Sequence, residues 1–316
     1  MTMTIPTLDT LSIGWPITRL GVSFFPVYLA ANQLPAITTG EASRLEVDEL
    51  DEPSVQALRV RNPGDKPVLV VEGEHFLGNK QNRSVNVTVL VPSLGDLKIP
   101  VSCLERGRWG RPQASRRDEA FTAAGVRAEK NEGVSRSMCR SGSREGDQDA
   151  VWGEVDAMLS RESVQSPTAA AADVKRASHR RRPSRDAAVR DLADRGPLPG
   201  QCGIVVVHGS WVTSMDLFGA PHLLAAHWGA LIRSHLLESP AAKGNPSATR
   251  ILDIVRRFAF APARQAPGVG LGVEHRVTDD RLTGHALTLN GAMVHAAFFT
   301  KGKQKKTRTE SAPVVQ

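Results

Sequence analysis

Aromatic residues make up only 5% of the 316-residue chain, and a single tyrosine is among them. Such a sequence has little with which to stack on unpaired bases, which argues against a dedicated single-strand nucleic-acid binder. Cysteine is equally sparse: Cys103, Cys139 and Cys202 are unevenly spaced and form no CxxC pair. Their scarcity argues against a disulfide framework or a structural zinc site and fits a reducing cytoplasm. No apolar run is long enough to span a bilayer. Met1 to Gly14 lacks the basic n-region and apolar core of a secretory signal. No P-loop, GxSxG elbow or HExxH motif is present. Gly268-Val-Gly-Leu-Gly272 has the wrong spacing for a dinucleotide fingerprint, and a strand-like run rather than a helix follows it.

What is present is enough apolar material for a core, 41% of residues, and an excess of positive charge, formally +7. Part of that excess sits in Thr300 to Gln316, where Lys301, Lys303, Lys305, Lys306 and Arg308 face one acid, Glu310. This stretch has no apolar periodicity, so 301–316 is expected to be a basic, disordered tail able to attract polyanions weakly and in a salt-sensitive way. Residues 1–300 are expected to form one α+β domain, with a polar, loop-rich insertion near 111–146 that is rich in Arg, Ser and Gly.

The strongest strand signals lie in the middle of the N-terminal half. Val85, Val87, Val89 and Val91 alternate with Ser84, Asn86, Thr88 and Leu90, the pattern of a half-buried strand, and Leu97 to Cys103 alternates in the same way. Pro67 to Val71 is a continuous apolar run suited to burial on both faces. Paired as successive antiparallel hairpins, these three segments would bring two polar clusters, 72–83 and 103–109, to one end of a sheet. Further on, helices are expected around 151–159, after Ser166-Pro167, from Ser184, after Gly219-Ala-Pro221 and after Asn245-Pro246. Gly209-Ser210 and Asn290-Gly291 signal tight hairpins. The expected class is therefore α+β, with antiparallel sheets, a central helical block and a C-terminal hairpin.

The polar clusters supply the candidate site. Arg83, Arg106 and Arg108 carry guanidinium forks suited to phosphate or carboxylate. Gln81 and Asn82 offer donors and acceptors that can read a ribose or base edge, and Trp109 can stack on a base. Glu72, Glu74 and Glu105 can divide acid and base roles or hold a divalent cation. Cys103 is a candidate nucleophile if a base such as His75 approaches it. Asp216, where a strand passes into a helix, is a candidate ligand-binding carboxylate. The competing reading of the same residues is a salt-bridge network that ties the sheet end together.

The phrases EGEHFLGNKQNRSVNVTVLVP and IPVSCLERGRW resemble the ARG and Rhodanese-Phosphatase-superfamily-associated protein domain family. Further similarity runs through Gln148 to Trp152, Ser163, GIVVVHGSWVTSMDLFG at 203–219, and the strand ending in Val294-His295. The resemblance implies a setting among ADP-ribosyl-glycohydrolase-like and phosphatase-like proteins, hence NAD-derived or nucleotide chemistry. The sequence-level expectation is recognition, with hydrolytic processing, of an ADP-ribose-like or nucleotide-phosphate ligand. A non-catalytic scaffold is the alternative. A weaker third reading is a nucleic-acid-associated factor acting through the basic tail.

Overall fold

The computed structural model describes residues 5–30, 32–237, 244 and 247–301, so the tail and the Asn245-Pro246 helix start lie outside the described residues. The fold is α+β. Its largest sheet has nine strands. Eight run in spatial order Leu11–Ile13, Val22–Leu29, Gly203–His208, Trp211–Phe218, Ala292–Thr300, Leu282–Leu289, Val273–Thr278 and Arg264–Pro267, and Ile17–Arg19 also pairs with Val22–Leu29. A six-stranded sheet runs Gln113–Arg117, His75–Asn79, Arg83–Val85, Asp96–Cys103, Ala57–Arg61 and Glu46–Asp48. Between them lies a small sheet of Val89–Val91, Val68–Val70 and Thr38–Thr39. The ladders are antiparallel except for Thr38–Thr39 against Val68–Val70.

The two hairpins with strong turn chemistry form where expected. Asn290 and Gly291 both have positive φ (52° and 80°), as a type I′ turn requires, and join Leu282–Leu289 to Ala292–Thr300. Gly209-Ser210 joins Gly203–His208 to Trp211–Phe218. The expected continuous strand over 84–91 is instead divided. Arg83–Val85 pairs with Asp96–Cys103 in the six-stranded sheet, whereas Val89–Val91 pairs with Val68–Val70 in the small one. Both faces of this segment are buried, so Ser84, Asn86 and Thr88 meet polar partners in the interior rather than water.

Six helices complete the described fold: α1 (Ala124–Arg140), α2 (Gln148–Arg161), α3 (Ala172–Arg181), α4 (Pro183–Asp194), α5 (Pro221–Leu237) and α6 (Ala248–Phe260). Asp147 caps α2 by accepting the Ala150 N–H, Pro183 occupies the first turn of α4, and Ser247 caps α6. The α1 helix falls inside 111–146, where a loop-rich insertion was expected, and the strand Gln113–Arg117 precedes it. Its inward stripe explains the discrepancy: Val126, Arg127, Lys130, Asn131, Val134 and Met138 are all buried, but three of them are polar, which hides the apolar periodicity.

Apolar packing holds the layers in register. α6 covers one face of the large sheet through Ile251, Val255 and Phe258. α5 covers the other through Leu223, Leu224, Trp228 and Leu231, together with Leu69, Val71 and Leu90 from the small sheet. The small and six-stranded sheets share a valine-rich core with Val134 and Met138 of α1. The Gly268–Gly272 run is a structural link: the Leu271 N–H donates to Leu90 O (2.8 Å), and a Cβ on Gly270 would lie 2.3 Å from that same oxygen.

Candidate functional site

Two polar assemblies emerge where the sheets meet α1 and α3. The first is closed. Val71 to Glu74 forms a tight turn, with the Glu74 N–H donating to Val71 O (3.0 Å) and Gly73 at φ +90°. The turn breaks the strand alternation that would have placed Glu72 and Glu74 on one face. Glu72 meets Arg127 (3.0 Å) and Lys130 (2.8 Å), and Arg127 also binds Asp216 with a two-pronged contact at 2.6 and 3.1 Å. All four side chains are fully buried. A Cβ on Gly73 would lie 2.5 Å from Arg127 Nε, so glycine is required here to admit the arginine, not a ligand.

A chain of hydrogen-bonded side chains extends this cluster. Thr283 donates to Asn131 Oδ1 (3.1 Å), and Asn131 Nδ2 meets His285 Nδ1 (2.8 Å). His285 Nε2 meets Thr88 Oγ1 (3.2 Å), which in turn meets His295 Nδ1 (2.9 Å). If Asn131 donates to His285, the donor order fixes both tautomers and directs the His295 Nε2–H at Asp216, 3.7 Å away. Burial pushes the Asp216 carboxyl up, yet Arg127 and His295 hold it well below the carboxylate range. Burial lowers Lys130 to about 8 despite the opposing pull of Glu72, and it holds His285 well below the ordinary histidine value. Charge in this interior is matched by two cations and two carboxylates, as a dry site demands.

The second assembly is open. Asn82, Glu105 and Arg108 converge from the two sequence clusters onto a pocket of about 500 Å³, whose walls also include Arg116, Lys175 and Arg176. Arg108 donates to Glu105 Oε2 (2.8 Å), Asn79 O (3.1 Å), Gly78 O (3.0 Å) and Asn82 Oδ1 (3.2 Å). Burial raises the Glu105 carboxyl, but hydrogen bonds from Arg108 and Thr168 outweigh it, and the group is held below the usual value. Arg116 is exposed and makes no ion pair with any described residue. A neighbouring cavity of about 40 Å³ shares Asp118, Ala172 and Lys175 with this pocket. His75 lines that cavity, its Nδ1 3.1 Å from Asp118 Oδ2, and both side chains are about 95% shielded from solvent. Lys175 donates to the other Asp118 oxygen (3.0 Å). Burial raises Asp118, but His75 and Lys175 together hold it well below the carboxylate range. His75 Nε2 is buried and has no hydrogen-bond partner among the described residues.

The other sequence candidates are dispersed. Glu74 is buried against Arg117 (2.6 Å) and so lies apart from Glu72 and Glu105 in its pairing. Each of the three glutamates thus has its own cation, and among the described residues no three His, Cys, Asp or Glu side chains form a metal-binding group. Cys103 is fully buried; its thiol accepts the Glu105 N–H (3.3 Å), and burial pushes the thiol up, away from nucleophilic character. Arg83 is fully buried and donates to Gln81 Oε1 (2.8 Å), while Gln81 donates to Glu105 O (3.2 Å). Burial lowers Arg83 from its ordinary value. Arg106 pairs with Asp156 (3.1 Å) at the surface. Trp109 is 49% exposed, with Lys80 and Arg83 over its ring at 5.1 and 5.7 Å. Asp216, expected at a ligand, faces Arg127 instead.

Sequence reasoning missed Arg127, Lys130, Asn131, Asp118 and Lys175. The signal available for α1 was the spacing of its apolar residues Val126, Val134 and Met138, which share one helical stripe but are separated by the polar Arg127, Lys130 and Asn131. A larger cleft, about 1110 Å³, lies between α1 and α6 and includes Glu132, Trp211, Arg257 and Lys301. None of the sequence candidates reaches it. Lys301 pairs there with Glu132 (3.4 Å) and Arg257 with the adjacent Asp279 (2.6 Å), and the cleft shares no residue with the cavity that His75 lines. The smaller pocket is therefore the better chemical candidate.

These features define an α+β protein with a charged interior and a polar pocket at the edge of its six-stranded sheet. The chain belongs to the ARG and Rhodanese-Phosphatase-superfamily-associated Protein domain family, whose profile matches residues 10–299. Comparison with curated proteins and with solved structures gives no match. No helix among the described residues is long and apolar enough to cross a membrane.

Proposed function

We propose that the protein recognises, and hydrolytically processes, a small phosphate-bearing ligand of the ADP-ribose or nucleotide kind in the pocket beside Glu105 and Arg108, and that it does so in the cytoplasm. The observation that carries this reading is an open pocket of about 500 Å³ with Arg108, Arg116, Lys175 and Arg176 in its walls, adjoining a buried histidine with a free nitrogen. Arg116 is the cation most available to a phosphate, because it makes no ion pair with a described residue. Arg108 keeps one N–H beyond the four it gives to the protein. Asn82 lies in the same wall, where its amide can orient a sugar or base edge. Glu105 is ionised near neutral pH and suits an acceptor better than an acid.

Differential scanning fluorimetry with ADP-ribose, AMP and inorganic phosphate tests the reading. Wild type should be stabilised, by about 2.7 kcal/mol at a ligand concentration one hundred times Kd. Arg116→Ala should unfold at the same temperature without ligand and lose most of that gain. A wild type indifferent to all three ligands, or an Arg116→Ala protein that responds as wild type does, removes the pocket from the argument.

The near-saturation of Arg108 by protein acceptors favours a second reading, in which the cluster is a structural clamp and the surface around it meets another protein. That reading expects no ligand response and a large loss of stability in Arg108→Ala.

A further inference from the structure

We propose that His75 is the general base of a phosphodiester hydrolase, with Asp118 as its positioning residue and the small cavity as the seat of the attacking water. This rests on the pocket reading above and adds to it the reacting groups and the substrate class. Asp118 receives the His75 Nδ1–H (3.1 Å), which leaves Nε2 as the lone-pair nitrogen, and that nitrogen has no partner among the described residues. A buried acceptor without a partner is costly, so a water or ligand atom beside it is the natural resolution. The cavity that His75 lines measures about 40 Å³, above the roughly 10–15 Å³ that one water needs. Thr122 and Ser234 line the same space and supply further polar contacts. Leu104, Phe121 and Met158 make the rest of the wall apolar, which strengthens a hydrogen bond to the imidazole.

Charge selects the substrate class. The open pocket's walls hold four cations, Arg108, Arg116, Lys175 and Arg176, against three carboxylates, Glu105, Asp118 and Glu119. One net positive charge matches a phosphodiester, which carries a single negative charge, better than a dianionic monoester. Lys175 lies in both cavities and can donate to a non-bridging phosphoryl oxygen while holding Asp118. In the step, the water gives its proton to His75 Nε2 and its oxygen forms a bond to phosphorus. The bond from phosphorus to the leaving oxygen breaks with its electron pair, and that oxygen takes a proton from solvent at the open mouth. The products are a phosphomonoester and an alcohol, and the imidazolium returns its proton to solvent.

The test uses the full chain and bis(4-nitrophenyl) phosphate, followed by nitrophenolate absorbance. Wild type should turn the probe over. His75→Asn, which keeps a donor for Asp118 but removes the Nε2 position, should lower kcat by about 100-fold or more with KM little changed. Asp118→Asn should lower kcat by at least about tenfold and move the ascending limb of the kcat–pH profile to lower pH, a displacement that a purely structural role would not produce. A wild-type kcat that stays flat between about pH 5 and 8 overturns the proposal whether or not the variants fold. So does a His75→Asn protein as active as wild type. Wild type that is stabilised by ADP-ribose yet leaves the diester intact overturns the dyad and spares the binding reading. Loss of both responses sinks both.

Discussion

Glu72 and Glu105 come one from each of the two polar sequence clusters and both meet basic side chains, yet they occupy opposite kinds of environment. Glu72 lies with Arg127, Lys130 and Asp216 where no solvent reaches, and every charge there is matched. Glu105 is bonded to Arg108 at the wall of a pocket open to water, beside an arginine with no ion partner. In the first region a lost partner leaves a bare charge in a dry interior; in the second, water replaces it. The comparison teaches that a run of acids and bases becomes a staple or a site according to solvent access, and that residue type alone does not decide between them.

Removing the interior arginine is the severest way to break this contrast. Arg127→Met strands Glu72 and Asp216 and should cost about 3–5 kcal/mol in urea denaturation. A cost below about 1 kcal/mol would show that water reaches the network. Acid should come next. His227 is driven down to about 4 by burial, against the pull of Glu74, and His285 is likewise depressed. Unfolded chains bind protons at these imidazoles from about pH 6.5 while the folded protein does not, so stability should fall as pH drops from about 6.5 to 4. Urea midpoints across that range check the slope, and His227→Gln should reduce it. Coupling within the network sharpens the comparison further: the combined loss in Glu72→Gln with Lys130→Met should differ from the sum of the single losses by about 0.5–3 kcal/mol. The smallest effect is expected at the pocket, where Arg116→Ala should shift unfolding by no more than about 0.5 kcal/mol.

Local chemistry was readable from the sequence. Asn290-Gly291 and Gly209-Ser210 carry their turn preferences within two residues, so both hairpins were legible. The start of α2 was equally plain in Asp147, whereas α4 begins at Pro183, one residue ahead of the cap expected at Ser184, because proline's fixed φ suits the first helical turn. Long-range electrostatics was not. Glu72 is separated from Arg127 by 55 positions and Asp216 by 89, and nothing in either neighbourhood names its partner. Ser84, Asn86 and Thr88 read as a wet strand face because polarity is the ordinary sign of exposure, whereas their hydroxyls and amide are consumed inside. Half of the candidate site was legible: Asn82, Glu105 and Arg108 do meet, since each stands beside a turn whose chemistry is local. Glu72 and Glu74 turn elsewhere because Gly73 interrupts the alternation that would have aligned them.

The polar inward stripe of α1 also bears on the order of folding. A helix with apolar residues on its inner face gains from almost any greasy surface, and can associate early and loosely. Arg127 and Lys130 gain chiefly from particular carboxylates, Glu72 on the turn before the six-stranded sheet and Asp216 on a strand of the large sheet. Until both sheets stand at their final separation, those side chains are better left in water. Docking of α1 is therefore expected on the native side of the rate-limiting barrier, as the step that locks two preassembled layers together. Arg127 substitutions should accordingly quicken unfolding while leaving the refolding rate nearly untouched.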